Sequence, residues 1–299
     1  MRKVLITGVG GFTGRYLAPR LAEAGYDVQG TVYGEETGPV VGLSRLHRVD
    51  LTNDERVEGL IAEATPDKVV HLAAISFVGH CDVNEIYRTN IVGTRNLLNA
   101  LATSRVRPST VLIVSSANVY GNARAGLLDE SIPPAPVNDY GVTKAAAELV
   151  SGLFSKQLPI IIVRPFNYTG RGQSDRFVIP KIVSHVRRRE GDIELGNLDV
   201  ARDFSDVRAV VETYRRLLET PAAIGRMFNV CSGTATSVRS VIDMVERISG
   251  YNLNVRVTPD LVRAGDVKML WGSPDRIESV IGPLDMPPLE ETLRWMIED

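Results

Sequence analysis

The stretch Lys3-Val-Leu-Ile-Thr7-Gly8-Val-Gly-Gly11-Phe-Thr-Gly14, continued by Arg15-Tyr-Leu-Ala-Pro-Arg-Leu-Ala-Glu-Ala24, decides the fold. An apolar run, a glycine turn and a segment with Leu17 and Leu21 on one face read as strand, turn and helix. The glycines permit the tight turn and let backbone amides approach a pyrophosphate at the helix N-terminus, where the helix dipole favours negative charge. The spacing over Gly8, Gly11 and Gly14 is Gly-x-x-Gly-x-x-Gly. In the commoner Gly-x-Gly-x-x-Gly fingerprint the last glycine would fall on Thr13. Pro19 stands inside the expected helix, 14–24, where its ring and missing amide should kink it.

Outward from that unit the chain alternates. Asp27–Val32 and 46–49 read as strands, Asp54–Ala64 as a helix with Val57, Leu60 and Ile61 inward, and 68–73 as the next strand. A long helix is expected over 84–103, with Ile91, Leu97, Leu98 and Leu101 as its apolar stripe. The runs 110–115 and 160–164 are continuously apolar, as in strands buried on both faces. Strands alternating with helices predict an α/β fold with a doubly wound, Rossmann-type parallel sheet that binds ligands beyond the carboxyl ends of its strands. After about residue 166 the rhythm changes. Irregular segments are expected at 166–175, 191–203, 258–274 and 282–288, between helices at 178–189, Val207–Leu218 and 238–248. The expected division is a dinucleotide-binding domain over 1–165, to which 204–233 returns through a strand at 227–231, and a smaller, mixed substrate lobe from 166–203 and 234–299.

Composition bounds the partners. In 299 residues, 44% are hydrophobic, 23% charged and the net charge is −2, the profile of a globular protein with no bias toward nucleic acid or an anionic membrane. No apolar run approaches the roughly 18–20 residues that span a bilayer, and no leader-like apolar region follows the start, so the chain reads as cytoplasmic. Cys81 and Cys231 read as free thiols, and His47, His71, His80 and His185 form no ligand pair, so no metal is expected. The basic run Arg187-Arg-Arg189 suits the last turn of a helix.

The chemistry is concentrated in Asp139-Tyr140-Gly-Val-Thr-Lys144. Tyr140 and Lys144 at i, i+4 share a helix face, and an ammonium beside the phenol should favour the phenolate and draw its ordinary pKa of about 10 toward neutrality. Ser116 ends an apolar strand upstream, where it either joins that pair or caps the next turn.

Thr7-Gly8-x-x-Gly11-x-x-Gly14, Asp50-Leu51, His71-Leu-Ala-Ala74, Asn90-Ile-Val-Gly-Thr94, Ser115-Ser116-x-x-Val-Tyr-Gly121, Tyr140-x-x-x-Lys144 and Arg164-Pro-Phe-Asn167 together resemble the extended short-chain dehydrogenase/reductase family, over essentially the whole chain. The resemblance implies that Ser116, Tyr140 and Lys144 are catalytic. It implies a dinucleotide held by Gly8, Gly11, Phe12, Thr13, Gly14, Asp50, Leu51, Leu72, Ala73, Ala74 and Asn90 with Tyr140 and Lys144, and a homodimer built on helices 84–103 and 140–155. The cofactor is NADP or NAD. Val32-Tyr33-Gly34 carries no carboxylate to repel a 2′-phosphate and no arginine to grip one, and with Arg15 nearby the reading leans to NADP.

Within the sugar-nucleotide-modifying branch, Arg164-Pro-Phe-Asn-Tyr-Thr-Gly-Arg-Gly-Gln173 and Leu195-Gly-Asn-Leu-Asp199 resemble the segments that hold the diphosphate in GDP-sugar members, and Arg202-Asp-Phe-Ser-Asp-Val-Arg208 and Arg263-x-x-Asp266 resemble those of the reductases among them. Asn167, Val178, Lys181, Arg202 and Arg263 are the implied substrate-binding residues. The usual His-Thr-Gly-Pro-Gly-Gln is here Tyr168-Thr-Gly-Arg171-Gly-Gln. The implied activity is NAD(P)H-dependent reduction of the C4 keto group of a GDP-linked 4-keto-6-deoxy sugar, giving GDP-D-rhamnose or a related GDP-deoxysugar. A C4 epimerase is the alternative, and a non-catalytic dinucleotide sensor stands further off. A 4,6-dehydratase is disfavoured, because Ala117 and Asn118 stand where such enzymes hold an acid after the serine or threonine.

Overall fold

The structure is a computed structural model that describes residues 2–34, 38–76, 82–121, 126–261 and 269–298. His80, Cys81, Arg263 and Asp266 lie outside the described residues. The first half runs β1 (Lys3–Thr7), α1 (Phe12–Glu23), β2 (Asp27–Val32), β3 (Arg45–Arg48), α2 (Asp54–Ala64), β4 (Lys68–His71), α3 (Val83–Tyr87), a π-turn (Arg88–Val92), α4 (Gly93–Thr103), β5 (Thr110–Val114), β6 (Gly126–Leu128) and α5 (Asp139–Leu153). It continues with β7 (Ile160–Pro165), β8 (Asn167–Thr169), α6 (Val178–Arg188), β9 (Asp192–Leu195), β10 (Ala201–Asp206), α7 (Val207–Leu218), β11 (Met227–Val230), β12 (Ala235–Ser237) and α8 (Val238–Ser249). The chain ends in β13 (Asn254–Val257), β14 (Met269–Gly272), α9 (Asp275–Ile281) and α10 (Leu289–Ile297).

Seven parallel strands form the central sheet in the order β11-β7-β5-β4-β1-β2-β3. Side chains alternate across it. Val4 and Ile6 pack with Leu17 and Leu21 of α1 and Val210, Tyr214 and Leu217 of α7. Leu5, Val69 and Val111 pack on the other face with Leu60 and Ile61 of α2 and Leu97 and Leu101 of α4. The strand order runs outward in opposite directions from the β1–β4 pair, which opens a crevice beyond their carboxyl ends. Beside it stand a second sheet, β12-β10-β14-β6 with β8 paired to β10, and the parallel pair β13-β9. Helices α6, α8 and α10 cover a separate apolar cluster that includes Ile182, Ile193, Val241 and Leu293.

Two expectations need correction. The single helix over 84–103 is divided by the π-turn, where a buried Asn90 spends its side chain on neighbouring segments, and the altered phase leaves Ile91 only half-buried. The segments read as irregular contain β8, β9, the start of β10 and β14, short strands whose apolar alternation is too brief to see in sequence. Helix α1 runs continuously through Pro19. The chain at Gly42 approaches so closely there that a Cβ on Gly42 would lie 2.7 Å from Pro19 Cα.

Candidate active site

The glycine turn is built for close approach. Gly8 adopts φ +69°, and a Cβ on it would lie 2.7 Å from Ala73 Cα at the end of β4. A Cβ on Gly14 would lie 2.4 Å from the Val9 carbonyl, so this glycine lets α1 pack on its own turn. Gly11 is the N-cap of α1, which has neither a side-chain cap nor an acidic residue in its first turn. The electropositive helix end therefore faces the crevice without an internal anion, which fits a dinucleotide pyrophosphate. Gly8, Gly11, Phe12, Thr13 and Gly14 line one cleft of about 1350 Å³ together with Asp50, Leu51, Leu72, Ala73 and Ala74. Asp50 Oδ1 already accepts from the Thr52 amide and hydroxyl, both at 2.8 Å.

Arg15 donates to the carbonyls of Gly10 and Pro39. At the end of β2, Tyr33 is exposed, and Arg48 of β3 donates to the Gly34 carbonyl at 3.1 Å.

Tyr140 and Lys144 lie in the first two turns of α5, whose N-cap Asn138 accepts from the Gly141 amide at 2.8 Å. Both line the same cleft as Ser116, which draws the Tyr140 phenol downward against the effect of burial. The two readings of Ser116 coexist, since its Oγ also caps the short turn after β5 by accepting from the Asn118 amide at 3.1 Å.

The electrostatics differ from expectation. Burial pushes the Tyr140 phenol upward, the Tyr168 phenol adds to that, and the Ser116 hydrogen bond opposes it. Lys144 is not among the groups that shift the phenol; its Nζ donates to the Val114 carbonyl at 2.7 Å and stands 5.9 Å from the Tyr140 ring centre. Burial lowers Lys144 itself to about 8, with Glu148 pulling the other way. Glu148 is a residue that the sequence reading missed, although it lies at i+4 from Lys144. Its carboxylate is buried and accepts from Arg164 at 2.8 and 2.6 Å and from Ser115 at 2.5 Å.

Asn90 is absent from the cleft wall. Its amide accepts from Ile75 N at 2.8 Å and donates to Ile75 O at 3.1 Å and Thr143 Oγ1 at 3.0 Å, tying the floor of the cleft to α5. Below it, Thr94 gives its proton to the Asn90 carbonyl, so it can only accept from His71 Nε2, at 2.9 Å. His71 Nδ1 then accepts from Thr7, whose oxygen accepts from the Ala73 amide. Burial pushes this imidazole down to about 3, and the neutral ring fixes Ala73 against Gly8.

The same cleft is lined by Asn167, Val178, Lys181 and Arg202. Lys181 donates to the Glu194 carbonyl at 2.6 Å and Arg202 to that of Ala201 at 2.9 Å. Tyr168 joins the two sides, bonding Thr13 Oγ1 at 2.7 Å and stacking on Phe12 at 6.1 Å. Among the described residues no cluster of His, Cys, Asp or Glu could hold a metal ion, and no helix is long and apolar enough to cross a membrane.

A parallel doubly wound sheet with a glycine turn and a Ser–Tyr–Lys cluster on one cleft defines an NAD(P)-dependent oxidoreductase of the extended short-chain dehydrogenase/reductase class. Comparison with known proteins narrows the class. Residues 5–295 match the family model described as GDP-mannose 4,6 dehydratase, and the chain belongs to that family. It is 34% identical over 280 residues to the GDP-6-deoxy-D-talose 4-dehydrogenase of Aggregatibacter actinomycetemcomitans, covering 94% of this chain and 91% of that one. It is 33% identical over 310 residues to the GDP-6-deoxy-D-mannose reductase of Pseudomonas aeruginosa, covering 100% and 97%. A solved structure from Burkholderia cenocepacia J2315, described as "a putative epimerase", is similar at TM-score 0.93 and 50% identity, covering 99% and 97%. That of RMD from Pseudomonas aeruginosa, complexed with NADPH, is similar at TM-score 0.84 and 29% identity, covering 100% and 97%.

Proposed function

We propose that this chain reduces the C4 keto group of a GDP-linked 4-keto-6-deoxy sugar with NADPH, giving GDP-D-rhamnose or a related GDP-deoxysugar. The observation that carries this reading is the pair of hydroxyls, Ser116 and Tyr140, on the cleft wall with no acid at either of the next two positions, Ala117 and Asn118. Elimination of water across C5–C6 needs a proton donor and acceptor there, and an amide is neither. Two relatives are named for reactions of GDP-6-deoxyhexoses.

The dinucleotide, when bound, supplies hydride to the carbonyl carbon. Tyr140 gives its proton to the keto oxygen as negative charge develops, and Ser116 hydrogen-bonds the same oxygen. Because burial holds the phenol protonated at neutral pH, Tyr140 is in the state that reduction requires. Lys144 holds the cofactor ribose with its ammonium. Arg202, Lys181 and Asn167 take the diphosphate and sugar, with Arg263 from outside the described residues. NADPH is preferred to NADH because the end of β2 offers Tyr33 rather than a carboxylate and Arg48 stands beside it. The protein works as a homodimer in the cytoplasm.

Purified protein should oxidise NADPH, followed at 340 nm, only when a GDP-4-keto-6-deoxy sugar is added. A C4 epimerase is the second reading, favoured by the description of the Burkholderia protein at 50% identity. Interconversion of sugar nucleotides without net consumption of reductant would establish it and reject the reductase.

A further inference from the structure

A serine hydroxyl has one proton and two lone pairs, and at Ser116 the donors to both lone pairs can be named. Asn118 donates to Ser116 Oγ twice, from its backbone amide and from its side-chain Nδ2, each at 3.1 Å. What remains is the O–H, and Tyr140 lines the same cleft as Ser116. We propose that Asn118 is a positioning residue: its amide, folded back onto Ser116, fills that oxygen's acceptor capacity and leaves the hydroxyl proton directed at Tyr140 and at the substrate oxygen beside it. The identity of that substrate oxygen rests on the reductase reading, whereas the orientation of the hydroxyl does not.

The surrounding backbone holds the arrangement. Asn118 lies in the tight turn Ala117–Val119, and its carbonyl accepts from the Gly121 amide at 3.2 Å. The first turn of α5 is pressed on the same carbonyl, for a Cβ on Gly141 would lie 2.7 Å from Asn118 O. Gly141 thus allows Tyr140, its neighbour in sequence, to reach Ser116. A serine free to rotate could accept from Tyr140 as readily as donate to it, and an accepting serine stabilises neither a phenolate nor a developing alkoxide. The position that carries an acid in a dehydratase here serves to aim a hydroxyl.

The test is a double-mutant cycle. Removal of a donor to a developing oxyanion lowers kcat by about a hundredfold or more, and Ser116→Ala should show this loss. Asn118→Ala should lower kcat roughly tenfold with KM within about twofold, and should cost nothing further in the Ser116→Ala background. Asn118→Asp, of the same shape, should be worse than Asn118→Ala at neutral pH, because a carboxylate draws the Ser116 proton to itself. Its ratio to wild type should rise as pH falls and the carboxyl becomes a donor. Additive losses in the cycle, or an Asn118→Asp variant as active as wild type, would overturn the proposal, the latter because the amide oxygen would then face Ser116. A second readout needs neither cofactor nor substrate. A fluorinated tyrosine at position 140, more acidic than tyrosine, is titrated by ¹⁹F NMR, and both alanine variants should move its midpoint upward without adding to each other. If wild type reduces no GDP-4-keto sugar while that titration behaves as stated, the functional reading fails and the orientation stands.

Discussion

At the scale of single residues the site is governed by burial. Tyr140 and Lys144 are four residues apart, and their pairing on one helix face is legible in the sequence. Their pKa values are not, because these depend on what closes over them: the phenol is pushed up and the ammonium down to about 8. The sign for catalysis follows. In the proposed mechanism reduction uses protonated Tyr140 and charged Lys144. The phenol stays protonated well above neutrality, so the first loss as pH rises belongs to Lys144. The rate of reduction, kcat/KM, should be flat through neutrality and fall with unit slope above about pH 8. Lys144→Arg, which cannot deprotonate there, should give a lower plateau without that limb. A pH profile of the two proteins checks both statements. Tyr140→Phe should lower kcat by about 10²–10⁴-fold, the usual worth of a positioned general acid, with NADPH binding retained in a fluorescence titration.

Elements place these residues, and some elements were easier to read than others. The strand–turn–helix at the start was legible because each glycine answers a steric demand. Gly8 needs positive φ and also clearance from Ala73. Gly8→Ala should therefore abolish tight dinucleotide binding and lower Tm, both measurable by thermal shift with and without NADPH. The π-turn was not legible, because a one-residue change of phase inside an apolar helix leaves the composition unchanged. Its cause is the long-range engagement of Asn90 with Ile75 and Thr143. The buried partner of α5 was also missed. Glu148 looked like one more helical glutamate, yet it holds Arg164 in a two-bond pair beneath Lys144. Glu148→Gln leaves that guanidinium without its counter-charge and should destabilise the fold by about 3–5 kcal/mol, read from denaturant unfolding. The same change removes the charge that raises Lys144, so the alkaline limb of the rate profile should move to lower pH.

At the scale of the whole molecule, the cleft joins two structural layers, the C-terminal edge of the seven-stranded sheet and the strands and helices from β8 onward. Tyr168 bridges them by bonding Thr13. The homodimer proposed above must be built on what the fold leaves uncovered. Helix α5 provides it. Leu149 and Leu153, one turn apart on the same face, are 76% and 73% exposed, and Val92 on the π-turn packed against α5 is 41% exposed. Scattered single apolar residues are ordinary on a surface, but an apolar pair on one helix face with a third on its packed neighbour is what a helix-to-helix contact about a two-fold axis requires. We expect the protein to run at twice the mass of its chain in size-exclusion chromatography with light scattering. Leu149→Asp combined with Leu153→Asp should shift it to the single-chain mass, since carboxylates brought together across the axis would repel and could not be desolvated there. The monomer should keep NADPH binding and a measurable rate, because Leu149 and Leu153 lie outside the cleft, while its Tm falls. A wild-type chain that is monomeric at micromolar concentration would remove this face as an interface, and a dimer unaffected by both substitutions would place the contact elsewhere.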